Sequence, residues 1–435
     1  MRANQRMKLP VLLAILAILS ACAGFPSAGS IPLPSQTPVV DQTRSIHQTS
    51  SPLATASPTP AGPVKLRLWL PPQFDPAANT EAGRLLQKRL DEFRKRRPGI
   101  ELEVRTKAVY GPGGLLDALS TASAAAPQSV PDLIALPRDL LEAAALKGLL
   151  RPYNNLTKTL DDPDWYDYAR QLSSIQESIY GLPFAGDALA LAYRPEAIPE
   201  PPTDWSIPPE NGPTLVFPAA DPQALFTLAL YQSNDGAVLD DQGRPIIETI
   251  ALTDVLTYYM QAQIAGIMPE LLTQFQSDDQ VWDAFQDRRT DMAATWTSRI
   301  LSSTAVDDAI APLATVDGKP DTLATGWVWA LSARETREQQ AAIELAEFLT
   351  DSAFLADWTE AAGFLPPRPS SLKRWGDSLL QPVLAKIALS AHAIPTADIL
   401  SSLGGPLWQA TIDVLNQQVD PAAAALAASA SLTGP

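Results

Sequence analysis

Short stretches that alternate between apolar and polar residues are followed, along much of the chain, by longer stretches with helical spacing. Three β-strands are predicted near the start of this pattern, over residues 64–70, 100–105 and 132–136. Helices are predicted between and after these strands, over residues 77–97, 115–125 and 140–150. Because strand and helix alternate, the sequence predicts an α/β fold with a parallel sheet and helices on its faces.

The same two periodicities continue to the C-terminus, with one interruption. Further strands are predicted over residues 178–184, 188–194, 214–217, 291–296 and 325–331. Further helices are predicted over residues 222–231, 251–264, 281–286, 335–350, 352–362, 379–389, 407–417 and 421–430. Residues 195–209 are rich in proline and fit neither periodicity, so we expect a crossover between two parts of the fold there.

The first 21 residues have the pattern of a secretory signal. Basic residues precede an apolar run over residues 9–19, which is shorter than the roughly 20 residues that a membrane-spanning helix needs. The sequence LSAC at residues 19–22 resembles the lipobox of bacterial lipoproteins. This resemblance implies cleavage before Cys22 and acylation of its thiol, which would anchor the protein to the membrane from outside the cytoplasm. The alternative is an ordinary secretory signal in which Cys22 is incidental.

Residues 22–63 are predicted to be a tether that carries the lipid and holds a folded body away from the membrane. They are rich in Pro, Ser and Thr, and Asp41 and Arg44 are their only charged residues. No apolar face recurs at a spacing of 2 or 3.6 residues, so this segment cannot bury a core.

Composition then excludes several classes of function. The chain has 435 residues, a formal net charge of -16, one Cys and two His. The acidic balance argues against a nucleic-acid partner, since phosphate contacts need clustered Lys and Arg. One Cys and two distant His, His47 and His392, leave little for a thiolate zinc cluster, a histidine metal site or a Ser-His-Asp triad. No metal and no cofactor are therefore expected.

Several short motifs follow one another in a recognisable order. They are PDLI at 131–134 with LLRPY at 149–153, IYGLP at 179–183 with LAYR at 191–194, GIMP at 266–269, FQDRRTDMA at 285–293 with Trp296, and AAIELAEFLT at 341–350 with GFLP at 363–366. Their order and spacing resemble those of the extracellular solute-binding proteins of ABC importers, in particular the class related to the maltose-binding protein. The chain departs from that class at residues 202–209, where the usual helix is missing, and at Arg194, where Asn is usual.

The resemblance implies a two-lobed fold of the periplasmic-binding-protein type II class. Each lobe would be a mainly parallel sheet flanked by helices, and the chain would cross between the lobes at hinges. Lobe 1 is predicted over residues 64–195 plus 326–365, and lobe 2 over residues 200–320 plus 370–435. Solute would bind between the lobes, at the carboxyl ends of the strands.

The candidate solute contacts are aromatic and polar side chains at strand ends and in one helix. A Trp ring can stack on the apolar face of a sugar, while polar groups bind its hydroxyls. The predicted contacts are Trp69, Gln73, Asp187, Trp296, Trp327 and Trp408.

The sequence therefore predicts a lipid-anchored solute-binding protein, not an enzyme, that delivers a small solute to the transmembrane subunits of an ABC permease. A sugar or oligosaccharide is the expected solute, and the protein is expected to be a monomer. Three alternatives remain at this point. The same fold could present its ligand to a membrane sensor, the solute could be a polyamine or a peptide, or a pair of carboxylates could hydrolyse glycosides.

Overall fold

The predicted alternation of strand and helix begins at Val64 and produces a parallel arrangement. The computed structural model describes residues 62–207, 212–303, 307–376 and 379–432. The first elements are β1 (Val64–Leu70), α1 (Glu81–Arg96), β2 (Ile100–Thr106), α2 (Leu115–Ala125), β3 (Leu133–Pro137) and α3 (Arg138–Leu146). Strand β1 pairs in parallel with both β2 and β3. The prediction for this part of the chain is confirmed, and the signal segment, Cys22 and the tether up to residue 61 lie outside the described residues.

The next part contains one long strand where two were predicted. Its elements are α4 (Asp167–Ser173), the hairpin of β4 (Ser174–Ile175) and β5 (Ser178–Ile179), and β6 (Gly181–Tyr193). The predicted strands 178–184 and 188–194 are wrong as separate elements, since β6 runs through Asp187 without a break. A charged residue is tolerated in this buried strand because neighbouring hydroxyl and N–H groups donate hydrogen bonds to it.

The segment after the crossover supplies the second set of strands. Its elements are β7 (Leu215–Val216), α5 (Leu225–Ser233), α6 (Thr249–Ile264), α7 (Asp278–Gln286), β8 (Met292–Trp296), α8 (Thr297–Leu301), β9 (Ala309–Ala311) and β10 (Thr322–Leu331). Residues 200–207 contain no helix, as their sequence indicated. Arg194 is buried and donates to the carbonyl oxygens of Thr290 and Phe285, so it ties the end of β6 to the residues just before β8.

The C-terminal part is helical, with one short strand that the sequence did not indicate. Its elements are α9 (Thr336–Leu349), α10 (Ser352–Ala362), α11 (Pro369–Leu372), α12 (Leu380–Ser390), β11 (Ala391–Ala393), α13 (Ala397–Leu415) and α14 (Pro421–Leu432). Helix α13 begins ten residues before the predicted helix 407–417, because it continues through Gly404, Gly405 and Pro406, which ordinarily signal a helix end.

All the main strands belong to one sheet, in the order β2-β1-β3-β10-β6-β8-β7. Residues 181–188 of β6 pair with β10, whereas residues 189–193 pair with β8 and β9. We call β1, β2, β3 and residues 181–188 of β6 half-sheet A, together with the part of β10 that pairs with them. We call β7, β8, β9 and residues 189–193 of β6 half-sheet B, and residues 185–189 of β6 the junction. Parallel pairs lie in both halves, and β6 and β10 run antiparallel to their main-sheet neighbours.

Candidate functional site

Asp187 lies at the junction and links it to half-sheet B. Its carboxylate accepts hydrogen bonds from Thr297 Oγ1 at 2.8 Å, from Ser298 N at 2.9 Å and from Ser298 Oγ at 2.5 Å. Only 9% of the residue is exposed, and this burial raises the pKa of Asp187 to about 6. Asp187 was predicted to sit just past a strand, and it lies inside β6 instead. Its hydrogen bonds fix the first turn of α8 against β6.

Trp296 directly precedes the two residues, Thr297 and Ser298, that donate hydrogen bonds to this carboxylate. It is the last residue of β8, its Cα is opposite Leu189 of β6, and Thr297 follows it directly. The Trp296 side chain is half-buried against the core, so part of its ring remains open to solvent. The structure therefore brings Asp187 and Trp296 together at the junction.

Trp327 lies across the junction in half-sheet A. Its Cα is opposite Ala185 of β6 on one side and Pro137, the last residue of β3, on the other. The Trp327 ring packs edge-on against Phe74, with 4.9 Å between the ring centroids. Gln73, next to Phe74, is exposed. Gln73 and Trp327 thus occupy the carboxyl edge of half-sheet A, near the junction.

Phe74 is the centre of an aromatic cluster that the sequence did not indicate. Its ring also contacts Phe184, Trp358 and Phe364 edge-on, at centroid distances of 5.4, 5.3 and 5.6 Å. Trp327 is 9% exposed within this cluster, so most of its surface is already covered. The rings come from segments far apart in the sequence, and periodicity within one segment could not have grouped them.

Trp69 lies deeper in half-sheet A than a position at the strand end would suggest. It is opposite Ile134, three residues before the edge at Pro137, and only 3% of it is exposed. Its indole Nε1 is buried with no hydrogen-bond partner in the described part of the chain. Lys107 Nζ lies 4.6 Å from the ring centroid, which is a cation–π distance. The role of Trp69 as a solute contact stays a prediction.

Trp408 is separate from the other predicted residues. It lies on α13, which packs against α5, α6 and α14, and it is half-buried. Among the described residues, Trp408 has no hydrogen bond or ring contact with the other five predicted positions. Its role in solute binding also stays a prediction.

One further pair of side chains lies at the carboxyl edge of half-sheet A. The Tyr110 hydroxyl, in the loop after β2, donates to Asp139 Oδ1 in the first turn of α3 at 3.3 Å. Partial burial raises the pKa values of both groups, although both residues are exposed over much of their surface. Tyr110 and Asp139 lie a few residues after predicted strands, and this position was the signal that could identify them.

The described residues offer no alternative centre for metal chemistry. No group of three or more His, Cys, Asp or Glu side chains in this part of the chain is placed to hold a metal ion. Within the same residues, no helix has both the length and the apolar character needed to cross a bilayer.

The overall architecture is shared with known binding proteins. The sugar-binding protein MalE of Xanthomonas citri is 18% identical, with a TM-score of 0.67 over 85% of this chain and 98% of that one. The cyclic α-maltosyl-1,6-maltose-binding protein of Arthrobacter globiformis is 17% identical, with a TM-score of 0.68 over 85% and 98%. An ABC transporter solute-binding protein of Agrobacterium radiobacter K84, in complex with ribitol, is 20% identical, with a TM-score of 0.57 over 86% and 98%. At these identities the likeness shows the two-lobed α/β fold.

The sequence itself identifies the family. No curated protein sequence matches this chain at a significant level. The sequence pattern that describes bacterial extracellular solute-binding proteins matches residues 88–379, about two thirds of the chain. That family consists of binding proteins and not of enzymes, and it works outside the cytoplasm. The chain therefore belongs to the bacterial extracellular solute-binding protein family.

Proposed function

We propose that this protein captures a sugar or oligosaccharide between its two lobes and delivers it to an ABC permease. The observation that carries the proposal is the placement of these residues along β6 where it passes from half-sheet A to half-sheet B: Trp327 lies opposite Ala185, Trp296 lies opposite Leu189, and Asp187 lies between these two positions. An aromatic ring beside hydroxyl and carboxylate groups suits a sugar, which presents both apolar faces and hydroxyls. The similar structures that are named as sugar-binding and as cyclic α-maltosyl-1,6-maltose-binding proteins support the same solute class.

We propose the predicted ranges as the lobe boundaries, with lobe 1 over residues 64–195 plus 326–365 and lobe 2 over residues 200–320 plus 370–435. Strands β6 and β10 connect the lobes, and a small rotation about them would open and close the space between Trp296 and Trp327. One contact ties the C-terminal part to lobe 1 as well: the backbone N–H of Ala397 donates to the carboxylate of Glu142. Strand β11 pairs with residues 322–324 of β10, which lie between the two lobe ranges.

Trp296 is the best-placed residue to couple solute binding to closure. Its ring is half-buried and partly open, in contrast to Trp327 and Trp69, which are almost covered. Thr297 and Ser298 donate hydrogen bonds to Asp187. The backbone next to Trp296 is therefore fixed before solute binds. Pre-organisation of this kind lowers the entropy cost of binding.

Solute class is tested by the thermal stability of the purified protein in a panel of mono- and oligosaccharides, polyamines and short peptides. A ligand that binds only the folded protein raises its melting temperature, in proportion to the logarithm of concentration over Kd. The proposal predicts a shift with at least one sugar. A silent sugar panel together with a shift from polyamines or peptides would assign a different solute class.

The anchor and the delivery step are tested separately in cells. We propose that Cys22 carries the lipid, that the protein acts as a monomer at the outer face of the membrane, and that residues 22–63 form the tether. Cys22→Ala should release the protein from membranes or leave it unprocessed. Membrane retention of a signal-cleaved Cys22→Ala protein would contradict the anchor, and unchanged sugar uptake in a deletion strain would favour sensing over transport.

A further inference from the structure

A cavity of about 260 Å³ lies beside half-sheet B, and none of the six predicted solute contacts lines it. Its floor includes Leu191 of β6, Leu215 of β7 and Met292 of β8, and its side wall includes Phe226 and Leu230 of α5. These walls are apolar, and an apolar space of this kind can accept an apolar ligand.

The roof of the cavity is the segment around Trp205, which replaces the helix expected there from the family resemblance. This segment is held in place by hydrogen bonds and by ring stacking, partly on residues that also line the cavity. Thr315 N donates to Thr203 O at 3.2 Å, and Trp205 Nε1 donates to Ala314 O at 3.1 Å. The Trp205 ring stacks on Tyr258, with 5.3 Å between centroids and 13° between planes. These contacts fix the segment around Trp205, and the cavity remains below it.

The polar side chains that line the cavity are few, and they include Tyr258, Glu200 and Asp204. The Tyr258 hydroxyl has no hydrogen-bond partner among the described residues, and burial raises the pKa of Tyr258 to about 12, so it stays protonated. Glu200 and Asp204 also line the cavity, and Glu200 is exposed. Hydrogen bonds from Ser206 lower the pKa of Asp204, which keeps it a carboxylate. The lining of the cavity thus offers hydrogen-bond acceptors and negative charge.

We propose that this cavity is a second binding site, distinct from the junction, for a small aromatic molecule that carries an N–H or ammonium donor. The volume sets the size of the apolar part. An apolar cavity of about 150 Å³ holds benzene, so 260 Å³ suits a body of about ten non-hydrogen atoms, such as a bicyclic ring. The carboxylates of Glu200 and Asp204 favour a cationic end over an anionic one, as does the net charge of -16.

Three related probes test the site by calorimetric titration of the full chain: tryptamine, indole and 1-methylindole. Tryptamine has a ring and an ammonium group, indole has a ring and one N–H donor, and 1-methylindole has the ring alone. The proposal predicts that affinity falls in that order. Tyr258→Phe should weaken indole about fivefold and leave 1-methylindole unchanged, since it removes one hydrogen-bond partner and keeps the ring. Combining Glu200→Gln with Asp204→Asn should weaken tryptamine about fivefold or more and leave indole unchanged.

The same variants show which outcome would overturn the proposal. Binding of none of the three probes, or binding that ignores Tyr258→Phe and the double substitution, would mean that the cavity is only a packing defect. Trp296→Ala separates this site from the proposed sugar site. It should leave the affinity for all three probes unchanged, and a large loss for the probes in that variant would place them at the junction instead.

Discussion

Replacing Asp187 with asparagine should stabilise the protein above pH 6 and leave its fold intact. Oδ1 of Asp187 accepts from Thr297 Oγ1 and Ser298 N, and an asparagine Oδ1 can accept both. Oδ2 accepts from Ser298 Oγ, and the amide of asparagine can donate to that hydroxyl instead. The substitution therefore removes the charge and keeps the three contacts.

The expected size follows from the pKa of the buried carboxyl. Burial raises the pKa of Asp187 from 3.8 to about 6, and each unit corresponds to about 1.4 kcal/mol. The folded protein thus holds this proton more tightly than the unfolded chain does. Its contribution to stability is present below pH 3.8 and is lost as pH rises through 6. The advantage of the Asp187→Asn variant over the wild type should grow by about 3 kcal/mol across this window.

Urea denaturation of wild type and Asp187→Asn at pH 4, 5, 6 and 7 measures this difference directly. Asp132→Asn is a matched control in half-sheet A, because burial also raises the pKa of Asp132 to about 6 and only one backbone N–H, that of Arg67, donates to it. It should show the same pH trend without altering solute affinity. A difference between Asp187→Asn and wild type that does not change with pH would refute the reasoning.

Two further substitutions probe the junction. Trp296→Ala should weaken solute binding by about 2 kcal/mol with a smaller loss of folding stability, since the Trp296 ring is half-buried. Trp282 is also half-buried, and Trp282→Ala should leave solute affinity unchanged. Both variants are measured by ligand titration and by unfolding, and a stability loss larger than the affinity loss for Trp296→Ala would make Trp296 a core residue. Gly186→Ala should destabilise the protein by about 1–3 kcal/mol, because the new Cβ would overlap the Tyr168 hydroxyl. A Cβ at Gly99 meets open space, so Gly99→Ala should be close to neutral in the same denaturation assay.

Local periodicity was enough to predict the elements that are regular and separated by turns. Strands β1 to β3 and helices α1 to α3 lie where the alternation and helical spacing placed them. Strand β6 was split at Gly186 and Asp187, because a glycine and a charge usually end a strand. What makes Asp187 acceptable there is a pair of hydroxyl donors about 110 residues further along the chain, and no local pattern reveals them.

The candidate site, too, was only partly predictable from the sequence. The predicted strand end correctly indicated Trp296 as the last residue of β8, whereas Trp327 lies within β10, opposite the end of β3. The burial of Trp327 was not predictable, because it depends on Phe74 and the other rings of its cluster, which come from distant segments of the chain. The start of α13 was not predictable from local sequence either. This helix continues through Pro406 and packs against α5 and α6, which are distant in the sequence.

The most direct test of sugar capture is a crystal structure of the protein with the sugar that gives the largest thermal shift. We predict that the sugar lies at the junction, with one ring face against Trp296 and its hydroxyls within hydrogen-bond distance of polar groups from both half-sheets. Sugar bound only at a surface away from β6 and β10, with the junction unoccupied at saturating concentration, would contradict the proposed function.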